Sequence, residues 1–90
     1  MLDADVWFSK GVKSIMTNQK VWTSLDYFKQ CYIIEQAHVA SIFNIAVCYD
    51  LMGKFQCAKY YFDLCIKMKP YMTEAYFGTI LCNIKIGLND

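Results

Sequence analysis

Ile42-Phe43-Asn44-Ile45-Ala46-Val47-Cys48-Tyr49, then Ala58-Lys59-Tyr60-Tyr61-Phe62, then Pro70, is the stretch that decides the fold. Apolar residues at 42, 45, 46 and 49 stand three and four apart, which places them on one face of an α-helix. A second such face runs through Phe55, Ala58, Phe62 and Ile66. Gly53 separates the two, being a residue that takes left-handed backbone at little steric cost, and Pro70 stops the second because it cannot continue a helix. Helices joined by so short a turn lie antiparallel. Small Ala46 and Ala58 let the pair approach closely, while Tyr49 and Phe62 fill the space beside it.

The pattern extends outward in both directions. Shifting the chain by 34 positions aligns Lys20 with Lys54, Tyr27 with Tyr61, Phe28 with Phe62, and Cys31 with Cys65. The same shift aligns Phe43 with Phe77, Cys48 with Cys82, and Gly53 with Gly87. Before the central pair, Phe8, Val12, Ile15 and Met16 mark a first helix that Asp3 or Asp5 can cap. Thr17-Asn18-Gln19-Lys20 reads as a turn, and Trp22, Leu25, Phe28 and Tyr32 mark a second helix that ends near Gln36-Ala37-His38. After Pro70, Tyr76, Ile80, Asn83 and Ile84 mark a fifth helix, closed by Gly87.

In this spacing the chain resembles the tetratricopeptide repeat family, whose pattern is W-x2-L-G-x2-Y, then A-x3-F, then P. The best copy reads Ile42-x2-Ile45-Ala46-x2-Tyr49, Ala58-x3-Phe62, Pro70. In the first copy Phe8, Val12, Ile15, Ser24, Phe28 and Cys31 take the matching places, with Gln36 where the proline stands, and the third copy stops after one helix. The resemblance implies an all-α fold, a short α-solenoid of antiparallel helix pairs. One domain over 1–90 would hold repeats at approximately 5–38 and 39–72 and a half repeat at 73–90. Its repeat core would be Phe8, Phe28, Ile42, Ile45, Ala46, Tyr49, Ala58, Phe62, Cys65 and Pro70.

The resemblance also implies a concave groove lined by the first helix of each pair. Its positions here are Val6, Ser9, Lys13 and Thr17, then Ala40, Phe43, Val47 and Leu51, then Glu74, Phe77, Leu81 and Lys85. Phe43, Val47, Leu51, Phe77, Leu81 and Ile84 form the expected partner-binding set, an apolar surface for a peptide or helix. Some family members clamp acidic chaperone tails with lysine, asparagine and arginine. Only Asn44 matches that clamp, and Glu74 would repel such a tail.

Composition narrows the function further. The chain is 57% hydrophobic and 17% aromatic, too apolar for disorder, and 90 residues suit one domain. Net charge is +1, the nine basic residues are all lysine, and no basic stripe forms, so nucleic acid is not an expected partner. Five cysteines, an odd count with no CxxC pair, fit neither a disulfide framework nor a zinc site. They read as small core residues in a reducing compartment, intracellular and by default cytoplasmic. The start carries no basic region of a signal peptide, and the apolar run Val39–Met52 is interrupted by Asn44 and Asp50, so no membrane span is expected.

His38 is the only histidine and has no motif around it, and no glycine-rich phosphate loop exists. The expectation is a non-catalytic scaffold with no cofactor and no metal, bound to a protein partner. The alternative is a structural subunit of a cytoskeletal, ciliary or organellar assembly. Because the fifth helix has almost no polar side, the chain alone is expected to self-associate through it or to be only partly folded.

Overall fold

A computed structural model describes residues 3–89; Met1, Leu2 and Asp90, part of the expected span 1–90, lie outside the described residues. Five helices follow one another: α1 (Ala4–Met16), α2 (Val21–Ile34), α3 (Val39–Leu51), α4 (Phe55–Met68) and α5 (Thr73–Asn89). No strand occurs among the described residues. The fold is all-α, with neighbouring helices packed in antiparallel pairs.

Helix ends are set by local hydrogen bonds. At the start of α1 the Asp3 carboxylate accepts the Val6 N–H at 3.0 Å, and at the start of α3 His38 Nδ1 accepts the Ser41 N–H at 3.1 Å. The ends of α1 and α3 are alike, with Asn18 (φ 62°) and Gly53 (φ 77°) in the left-handed region. The N–H groups of Asn18 and Gln19 reach back to Ile15 and Ser14, at 3.2 and 3.1 Å. Those of Gly53 and Lys54 reach back to Asp50 and Tyr49, at 3.0 and 2.9 Å. These crossed bonds satisfy carbonyls that a helix end leaves bare. Gly87, expected to close the last helix, does not: α5 continues to Asn89, and no left-handed turn forms at residue 87.

The turns after α2 and α4 repeat each other at 34 residues. Glu35 lies at φ −132°, ψ 94° and Lys69 at φ −135°, ψ 87°. The His38 N–H donates to the Glu35 carbonyl at 3.1 Å, as Met72 does to Lys69 at 3.0 Å. Gln36 and Pro70 hold the same place in these turns, so the proline favours the bend without being required for it.

The first helix departs from that period. Residues 17–20 connect α1 to α2, whereas only 52–54 connect α3 to α4. The extra residue puts α1 in register with α3 at 35. Phe8 therefore meets Phe28 (5.6 Å between rings) as Phe43 meets Phe62 (5.5 Å), and Gly11, not Val12, takes the place of Ala46. Ile15 and Met16, expected on the packed face, are exposed.

The molecule measures 43 × 29 × 18 Å, and 18 Å accommodates two layers of helices. Apolar clusters fill each joint. Leu25, Phe28, Ile45 and Cys48 tie α2 to α3, and Ala46, Ala58, Phe62 and Cys82 tie α3 and α4 to α5. Ile42, Cys65 and Ala75 form the third. Of the expected core, Phe28, Ile42, Ile45, Ala46, Ala58, Phe62 and Cys65 are buried, while Phe8 and Tyr49 are half-buried. Pro70 is exposed and belongs to the turn, not the core. Trp22 also lies outside, with Lys20 Nζ 4.8 Å from its ring.

Two glycines decide how the layers meet. A Cβ on Gly11 would fall 2.6 Å from the Phe28 ring, and one on Gly78 would fall 2.6 Å from the Phe62 ring. Seating Phe62 on Gly78 turns that side of α5 inward, with Ala75 and Cys82 fully buried. Tyr76, Ile80 and Ile84, expected to mark the packed stripe, lie on the opposite side and are exposed.

Replacing Gly11 or Gly78 by alanine is expected to lower stability by about 1–3 kcal/mol, despite alanine's better helix propensity, because a phenyl ring must move. Gln36→Pro is expected to raise stability by about 0.4–1 kcal/mol, since Glu35 is already extended and the Gln36 N–H donates no hydrogen bond. Urea midpoints of the three variants check both signs.

Candidate interaction surface

The helices α3 and α5 run side by side in the same direction. Ile42 shares a cluster with Ala75, Ala46 with Cys82, and Asp50 Oδ1 accepts from Lys85 Nζ at 2.8 Å. That ion pair is partly solvated and contributes at most about 1 kcal/mol, so it orients α5 more than it holds it. Lys85, expected on the groove, is committed to this bridge and also lies 5.1 Å from the Phe55 ring.

The expected groove residues separate into two groups. Phe43 and Val47 are half-buried, packed against the cluster around Phe62, with Phe43 edge-on to that ring. That cluster joins α3 and α4 to Cys82 of α5. Leu51, Phe77, Leu81 and Ile84 remain 64, 62, 51 and 53% exposed. On α1, Ser9, Lys13 and Thr17 line an open depression of about 550 Å³ together with Phe8, Val12 and Met16. Ala40 and Glu74 line another of about 680 Å³, beside Met68, Pro70 and Tyr71.

A group of large apolar side chains gathers on the outer side of α5. Tyr76, Phe77, Ile80, Leu81, Ile84 and Leu88 are all exposed, six of the fifteen large apolar residues exposed among those described. At 100° per residue they cover an arc of about 140°. The only charged residues of α5 are Glu74 and Lys85, and both lie outside that arc. Helical periodicity alone cannot say which side of so apolar a helix packs. The legible signal was the small stripe Ala75, Gly78 and Cys82, where a neighbouring backbone can come close.

Four of the five thiols are held in unreactive settings. Cys31, Cys48, Cys65 and Cys82 are buried free thiols, and Cys57 is exposed. Burial pushes Cys48 and Cys65 up to about 11 and raises Cys31 and Cys82 as well, which keeps them protonated at neutral pH. Asp5, Glu35 and His38 offer ligand atoms within 4.8 Å of one another. Yet His38 Nδ1 accepts the Ser41 N–H, so in the neutral ring the proton sits on Nε2, which faces Asp5 at 3.8 Å. A metal at Nε2 would need the other tautomer and would cost α3 its cap. No described helix is long and apolar enough to cross a membrane.

Compared with protein-family models and with curated proteins, the chain matches none.

In native protein at neutral pH, a maleimide is expected to modify Cys57 alone, with all five thiols reacting in denaturant. Raising the pH toward 9 is expected to leave native Cys48 and Cys65 unlabelled, because burial raises both to about 11 and keeps them protonated at that pH. Intact-mass spectrometry reads both outcomes.

Proposed function

We propose that the chain is a non-catalytic protein-interaction module of the tetratricopeptide-repeat kind, holding an apolar peptide or helix of a partner against α3 and α5. The observation that carries this reading is the exposure of Leu51, Phe77, Leu81 and Ile84 on parallel helices braced by Lys85 and Asp50. Each such side chain gains roughly 1.5–3 kcal/mol on full burial, before the costs of association. Few large apolar side chains of a lone small domain are grouped this way, and an apolar patch of this kind marks a contact site.

Absence of catalysis is part of the proposal. Its support is that four thiols are held protonated and that His38 is occupied as a helix cap. A second reading, a structural subunit covered on several sides, draws on Trp22, Ile33, Ile34 and Tyr60, which are exposed away from the α5 arc.

The test compares the wild-type chain with a Leu51→Glu, Phe77→Glu variant as baits in cross-linking pull-downs from cells. Both positions are exposed, so circular dichroism is expected to stay helical. Capture of the wild-type partner is expected to fall at least about 30-fold, the effect of losing one strong contact residue. Equal capture by both baits rejects the reading.

A further inference from the structure

We propose that the outer side of α5 is a homodimer interface, in which a second copy of this chain lays its own α5 antiparallel across the first. The inference rests on the interaction-module reading and names the occupant of one part of that surface.

Spacing supplies the first argument. Phe77, Leu81, Ile84 and Leu88 stand four, three and four residues apart, the seam spacing of two helices wound around each other. Tyr76 and Ile80 flank that seam on one side. In an antiparallel pair with its two-fold axis between Leu81 and Ile84, each Phe77 meets the partner's Leu88, and each Leu81 meets the partner's Ile84. Phe77 then faces the smaller Leu88 at either end of the contact, and Leu81 faces Ile84, its equal in size, at the centre.

Charge supplies the second. A two-fold contact sets the same face of both copies together, so charges near the middle of the seam would face their own kind. This seam carries none, Lys85 is engaged by Asp50, and Glu74 lies beyond its end. A highly charged peptide would find no complement here.

Area supplies the third. The six side chains are between 42 and 81% exposed. For residues of this size that amounts to about 600 Å² per copy. Stable pairs bury about 800 Å² per partner, so this face and its rim reach the range that a dimer needs.

The internal repeat shows the kind of neighbour that such a face takes. Ile42 and Ala46 of α3, which correspond at 34 residues to Tyr76 and Ile80, are fully buried. The helix α4 packs over them, antiparallel to α3. Among the described residues, nothing lies over α5 in the corresponding place. A second α5, brought in by the two-fold, supplies an antiparallel helix there.

Sedimentation equilibrium of the full chain, from low micromolar to about 100 µM, tests the assignment. Twice the chain mass of 10.5 kDa is expected. An Ile84→Glu, Leu88→Glu variant is expected to dissociate at least about 100-fold more readily, while Leu51→Glu leaves the dimer intact. Cysteine trapping does not depend on how well the charged variant folds. In a Cys57→Ser background, Ile84→Cys is expected to cross-link to a covalent dimer and Leu88→Cys not, because antiparallel helices bring residue 84 near its copy and carry residue 88 away.

A monomer throughout the range overturns the proposal and means that something else covers this face. Association that survives Ile84→Glu, Leu88→Glu overturns it too, as does cross-linking at Leu88→Cys that equals that at Ile84→Cys. Partner capture by Leu51→Glu alone, a position outside the dimer seam, is a separate readout, so the module reading and the dimer can fail independently.

Discussion

The fold depends on two phenyl rings seated on glycine. Phe28 presses on the α1 backbone at Gly11, and Phe62 presses on the α5 backbone at Gly78. Each ring occupies volume that a single methyl group would contest, so helix separation and helix rotation are set together at these points. The first contact closes the opening pair, and the second docks the last helix on the pair before it. One type of contact thus serves both within a pair and between successive units. What α5 buries and what it shows to solvent both follow from the second ring.

Much of the architecture was legible in the chain. The spacing of Ile42, Ile45, Ala46 and Tyr49, and of Ala58, Phe62 and Cys65, marks helix faces that are buried or half-buried. Number and order of the helices followed from that spacing and from the breaks. Two features were hidden for physical reasons. One extra residue in the turn 17–20 shifted α1 by one place, and a fixed 34-residue comparison carries no sign of a turn's length. The rotation of α5 was ambiguous because its sequence is apolar nearly all round, and the Gly78 contact, made in three dimensions, decided it.

The expected groove was legible only in part. Spacing along a helix names residues that share a face, but it does not say how far the next helix overlaps that face. Phe43 and Val47 are packed on the joint of α3, α4 and α5, whereas Leu51, further along α3, stays exposed. Likewise the separation of Asp50 and Lys85 in sequence gave no hint that they meet. Side chains that lock neighbouring units and side chains that remain free are therefore interleaved on the same two helices.

The slab shape has a mechanical consequence. With helices stacked in a row, α1 and α5 share no joint, and each layer draws its cohesion from its immediate neighbours. Such a molecule has no central keystone. Disorder introduced at one extremity can stop at the next layer, so unzipping from an end costs less than opening the middle, and the two extremities can respond separately to whatever they touch.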